Sequence, residues 1–201
     1  MKPTYGVATV ALAVVTAVTS CGQPAEGPHA GHGGSAITQG ASSAQHNAAD
    51  VTFARNMIPH HQQGVFLAAM VPAHTQNPDL RVIAAHIAAD QQAEIQTLNK
   101  LLAQWNEHAD HDHGPGAGHD GMAMAGMVDD ATITRLQSLN DAAFDTLWAR
   151  SMIGHHQGAI TMAQDEIAHG QSADAIHTAR LIVEAQQREI AIMTHLISAA
   201  E

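Results

Sequence analysis

A gapless internal duplication constrains this chain more than any other feature of it. Sliding the 201-residue sequence by 95 positions lays residues 53–102 on residues 148–197, and about 19 of those 50 positions are identical, more than chance gives. The shared residues include Ala54/Ala149, Arg55/Arg150, Met57/Met152, Ile58/Ile153, His60/His155, His61/His156, Gln62/Gln157, His74/His169, Gln91/Gln186, Gln92/Gln187, Glu94/Glu189 and Ile95/Ile190, and Asp50 falls on Asp145. Whatever one copy folds into, the other must fold into as well.

Each copy reads as a pair of helices. The first is expected over about residues 50–71 and 141–168. The second is expected to start at Asn77-Pro78, an N-cap followed by proline where no amide hydrogen is needed, and at Ser172. A short helix over about 130–138 leads into the second copy. Aromatic residues make up only 3% of the chain, so alanine, leucine, isoleucine and methionine must fill the core, which suits close-packed helices better than sheets. The expected fold is all-α, a four-helix bundle over 49–199 built from two tandem helical-hairpin repeats, 50–106 and 141–199. Pro59 and its counterpart Gly154 both weaken the first helix beside a histidine pair, so a kink is expected there.

Helical spacing then sorts the side chains. In the second copy Ala149, Ile153, His156, Ile160, Ala163 and Ile167 form an apolar stripe expected to face the core. Trp148, Met152, His155, Ala159, Met162, Glu166 and His169 form an adjoining stripe richer in donor atoms. Met152 stands one turn from His155 and His156, as Met57 does from His60 and His61. Gln91 and Gln186 interrupt the apolar stripes of the second helices, and a buried amide costs about 1–3 kcal/mol unless it is hydrogen-bonded. The buried histidine of the first helix is its expected partner, while Glu94 and Glu189 are placed to orient the other imidazole and fix which ring nitrogen is free. Two readings stay open. The histidine pairs either hold the bundle together by hydrogen bonding or ligate metal, and adjacent helical residues point about 100° apart, so one of each pair can do each job.

The rest of the chain is of another kind. Lys2 precedes an uncharged stretch, 7–18, too short to anchor as a helix, which reads as a secretory signal over 1–20. Val18-Thr19-Ser20-Cys21 fits a lipobox, and Cys21 is the only cysteine, so lipidation there is expected, with the protein at the outer face of a membrane. Residues 21–48 are rich in Gly, Ser, Ala, Pro and His and read as a flexible tether; His29 and His32 lie in it. A second such stretch, 108–128, carries His108, His111, His113, His119, Met122, Met124 and Met127. Its alternatives are a solvated spacer and a loose metal-gathering linker, where imidazoles bind copper or zinc and thioethers add soft ligands that favour Cu(I). The formal charge of −11 argues against nucleic acid and against docking on anionic lipid.

FARNMIPHHQQ and WARSMIGHHQGAITMA, each followed by QQ-x-EI, resemble the signature of domain-of-unknown-function family 305 over both repeats, from about Asp50 to Ile197. The resemblance implies an exported, ferritin-like four-helix bundle in a family with a copper-binding member. The family pattern falls on Asp50, Met57, His60, His61, Gln91, Glu94, Asp145, Met152, His155, His156, Met162, Gln186, Glu189 and Met193, with Leu67 and Leu98 standing where methionines are frequent. The expected metal ligands are Met57, His60, His61, Met152, His155, His156, Met162 and His169 together with the linker donors, supported by Asp50, Gln91, Glu94, Asp145, Gln186 and Glu189. The leading expectation is a protein that binds, buffers or delivers copper, as Cu(I) or Cu(II), alone, as a homo-oligomer or with a metal-transfer partner. Against it stand a ferritin-like redox enzyme, for which, within the expected helices, only Glu166-Ile-Ala-His169 has the Glu-x-x-His spacing, and a helical interaction module with pH-sensing histidines.

Overall fold

The computed structural model describes residues 45–107 and 124–200, and all of them belong to one compact unit. Five helices follow in order: α1 (Ala48–His74), α2 (Pro78–Gln104), α3 (Asp130–Ser138), α4 (Asp141–His169) and α5 (Ala173–Ala200). No strand occurs among the described residues, and no helix among them is long and apolar enough to cross a membrane.

Local chemistry sets the helix ends. Asn47 caps α1 by accepting from the amides of Ala49 and Asp50, and Asp50 returns a bond to the Asn47 amide, closing a capping box. Asn77 caps α2 through the amides of Asp79 and Leu80, with Pro78 at the first helical position as expected. At its other end α2 stops where Asn106 turns left-handed (φ 60°), with Glu107 N donating to Leu102 O and Asn106 N to Ala103 O. The α-helix α1 runs unbroken through Pro59 and on through Pro72 to His74, beyond the expected end at 71.

The two hairpins, α1/α2 and α4/α5, face each other, α1 against α4 and α2 against α5. The start of α1 lies at the end of α4, where Asp50 accepts from the Gln171 and Ser172 amides. Conversely, the indole of Trp148 near the start of α4 donates to Leu67 O near the end of α1. The pair is therefore antiparallel, as an approximate twofold relation between the copies requires. The result is a four-helix bundle of ferritin-like type with α3 laid across one end.

Apolar packing forms two clusters. One joins Phe53, Met57 and Ile58 to Ile95, Leu98, Leu102, Ala159, Ala163 and Ile182; the other joins Leu67 and Val71 to Leu80, Ile87, Phe144, Trp148, Met152 and Met193, with Val128 and Leu136 from the segment before α4. Along both α1 and α4 the histidine pair falls between the residues of one cluster and those of the other. One expectation changes here. Ile153, Ile160 and Ile167 are only partly buried, but Ala149, His156 and Ala163 of the same stripe are buried, as are Trp148, Met152, His155, Ala159 and Glu166 of the donor-rich stripe, so both stripes face inward. The reason is that α4 packs against both α5 and α1, which turns both stripes inward.

Candidate metal centre

Antiparallel crossing of α1 and α4 brings the two histidine pairs together in the middle of the bundle. His60, His61, His155 and His156 have no exposed surface. His60 and His155 lie ring against ring, centroids 3.8 Å apart and planes tilted by 30°, and each is 6.2 Å from the second histidine of its own helix. The four imidazoles form a row: His61, His60, His155, His156.

Their hydrogen bonds decide the protonation. His155 Nε2 lies 2.9 Å from His60 O, His60 Nε2 3.2 Å from Ala125 O, and His156 Nε2 2.7 Å from Glu189 Oε2. His61 Nε2 is 2.8 Å from Glu94 Oε2, an ion-pair distance without the alignment of a hydrogen bond. The three hydrogen-bonded partners are carbonyl or carboxylate oxygens that can only accept, which puts a proton on Nε2 of His60, His155 and His156. All four Nδ1 atoms are buried without a hydrogen-bond partner. Burial, reinforced by the neighbouring imidazoles, holds His60 down to about 4 and His155 to about 2, so both are neutral, the form that ligates metal.

Further donors lie alongside. Met57 and Met152 are fully buried one turn before their histidines. The amides of Gln91 and Gln186 are buried with neither oxygen nor nitrogen bonded, so the expected glutamine–histidine bond does not form. The Gln91 oxygen instead lies against Gly64, in the space a side chain there would occupy. Glu94 and Glu189 instead meet His61 and His156, the imidazoles expected to take the glutamines, and not His60 and His155. Among the described residues no three His, Cys, Asp or Glu side chains gather as a metal site. A di-iron centre, which needs several carboxylates at one point, does not fit these donors; thioether and imidazole together are a softer set.

Other expected site residues lie elsewhere. Asp50 and Asp145 do not support the histidines. They tie the start of each copy's first helix to the turn of the other copy: Asp50 to the Gln171 and Ser172 amides, Asp145 to the Asn77 side chain at 3.0 Å. His169 ends α4 with its side chain 66% exposed, paired with Asp165 at 2.9 Å. Thirteen helical residues separate it from His156, about 20 Å at 1.5 Å per residue. Met162 is partly buried against the first apolar cluster and lines an open cleft of about 490 Å³ with Phe53, Asn56 and Asp165. Met124 and Met127 are half-buried in a turn before α3, Met127 N donating to Met124 O. Cys21, His29, His32, His108, His111, His113, His119 and Met122 lie outside the described residues.

Sequence reasoning missed two features. Glu166 is buried near Asp50, and burial together with that carboxyl pushes it up to about 8, so it stays protonated near neutrality. Ala125, in a stretch taken only as linker, supplies the acceptor for His60.

Residues 50–197 match the family described as "Domain of unknown function (DUF305)". The chain belongs to this family. A candidate secreted DUF305 protein from Streptomyces coelicolor is 30% identical with a TM-score of 0.69, covering 76% of this chain and 93% of its own. A DUF305 fragment from Deinococcus radiodurans is 26% identical (TM-score 0.66; 76% and 97% covered), and CopM in its Cu(II)-bound form is 27% identical (TM-score 0.64; 76% and 97% covered). No curated protein matches the chain.

Proposed function

We propose that this chain is an exported metal-binding protein that buffers or delivers copper, holding the ions in the bundle core through Met57, His60 and His61 and through Met152, His155 and His156. The observation that carries this reading is the set of four buried imidazoles, each with an oxygen beside its Nε2 atom and none with a hydrogen-bond partner at Nδ1. A histidine kept for structure alone satisfies both nitrogens, because an orphaned buried acceptor costs about 1–3 kcal/mol. A ligating histidine leaves one nitrogen for the metal and gives the other N–H to a carbonyl or carboxylate, which fixes the ring and raises its basicity. Neutral imidazoles beside thioethers suit Cu(I), with the amides of Gln91 and Gln186 adjacent.

Copper-bound CopM, similar in fold and 27% identical, supports the choice of metal. The candidate secreted relative supports export, and the lipobox supports anchoring through Cys21 at the outer face of a membrane. The donors His108, His111, His113, His119, Met122, Met124 and Met127 of the segment between the repeats are assigned further, more weakly held ions.

Native mass spectrometry under reducing conditions tests the assignment on Met57→Leu/Met152→Leu, a volume-conserving change that costs less than about 1.5 kcal/mol per site and keeps the fold. The variant is expected to lose its tightest Cu(I) ions and retain those of the linker. An unchanged ion count at limiting copper would show that the core does not bind the metal.

A further inference from the structure

The histidine row is sealed, so an ion reaches it only if something moves. Four walls are helices, held by their own backbone ladders. The fifth is the turn of residues 124–128, which among the described residues is the only non-helical element bonded to one of the four imidazoles. It crosses α1 and α4 over His60. Its Ala125 oxygen accepts from His60 Nε2, Gly126 takes a left-handed φ of 82°, and Val128 enters the second apolar cluster.

Two features of α1 and α4 are shaped to this stretch. Gln63 grips Val128 on both sides, its oxygen accepting from Val128 N at 2.8 Å and its nitrogen donating to Val128 O at 2.9 Å. On α4, Gly158 gives room: a Cβ there would fall on the Ala125 carbonyl oxygen, and a Cβ on Gly126 would lie 2.6 Å from Gly154 O. Gln63 and Gly158 occupy the same position in the two copies, as Pro59 and Gly154 do. The duplicated helices thus differ where the stretch crosses them, one copy carrying the latch and the other the seat.

We propose that residues 124–128 are a latched door over the histidine row, and that metal passes in and out when Gln63 releases Val128. The inference rests on the metal-binding reading above and adds how access to that site is controlled. A short segment held by side-chain hydrogen bonds opens locally at far lower cost than a helix pulled from the core. Opening also removes the acceptor from His60, so the inner pair of imidazoles is loosened when the way in is clear.

The test is the rate of Cu(I) transfer from a coloured Cu(I) chelator complex to the whole protein, by stopped-flow absorbance without oxygen, on wild type, Gln63→Leu and Gly158→Ala. Neither residue is a proposed ligand. Gln63→Leu is expected to speed transfer by roughly thirtyfold, the factor that two ordinary hydrogen bonds contribute, with the same number of ions bound at equilibrium. Gly158→Ala, which pushes the stretch off its seat, is expected to act in the same direction, and circular dichroism confirms that both variants keep their helices. Equal rates with equal final ion counts would overturn the door and leave the copper site standing. A wild-type protein that takes no ion into the core would overturn both.

Discussion

Lowering the pH from 7 to 5 should destabilise the metal-free bundle through His60 and His155, and the size of the effect follows from their environment. Both are held neutral in the fold, His60 down to about 4 and His155 to about 2, whereas in the unfolded chain each titrates near 6.5. Between the folded and unfolded values the unfolded state binds more protons, so stability is full above about pH 6.5 and falls as the pH drops below it. At pH 5 each unfolded imidazole has gained about 1.5 pH units of protonation free energy, about 2 kcal/mol, which the folded ring has not. Two such groups remove about 4 kcal/mol, a large part of the 5–15 kcal/mol typical of a domain. Glu166 acts in the opposite sense, because its raised value favours the folded state at low pH. The assay is therefore comparative: urea unfolding in the presence of a metal chelator at pH 5 and pH 7, on wild type and on His60→Gln/His155→Gln, which has no imidazole to titrate at either position. Wild type should lose about 4 kcal/mol more than the variant over this range. Equal losses would mean that these rings are protonated inside the fold and that the burial argument is wrong.

Two further outcomes follow from other residues. Glu166→Gln removes the carboxyl that must ionise near Asp50, so the melting temperature of the variant should rise relative to that of wild type as pH goes from about 4.5 towards 8; a constant difference across that range would refute the raised value of Glu166. Cys21→Ala should abolish incorporation of a clickable fatty acid in cells, and equal labelling of both proteins would remove the lipid anchor from the account.

Much of the fold was legible because it is written in local patterns repeated twice. Asn77-Pro78, Ser172 and the spacing of Ile182, Gln186, Ile190 and Met193 each specify a helix start or face without knowledge of the rest of the chain, and the observed bounds lie within a few residues of the expected ones. Glu94 and Glu189 were recognisable as partners of the histidines because they recur at matched positions in both copies. Other features depend on which helix crosses which. Asp50 and Asp145 are duplicated like the histidines, yet the antiparallel crossing sends them to the opposite copy's turn, where they hold backbone and a cap instead of supporting ligands. His169 has the spacing of a ligand on the donor-rich stripe, but that stripe runs out into solvent beyond Glu166. The Ala125-Gly126 contact carries no periodicity at all; Gln63 against Gly158 and Pro59 against Gly154 are among several positions at which the two copies differ.

The central claim, that four buried Nδ1 atoms await a metal, is tested most directly by long-range ¹H–¹⁵N NMR on the imidazole rings before and after adding Cu(I), which is diamagnetic and leaves the signals sharp. The metal-free protein should show His60 and His155 as neutral rings with the proton on Nε2. Addition of Cu(I) should move the Nδ1 resonances of these histidines while Nε2 stays protonated. Nδ1 resonances that do not move, or protons found on Nδ1 in the metal-free protein, would contradict the account and make the histidine row a structural feature of the bundle.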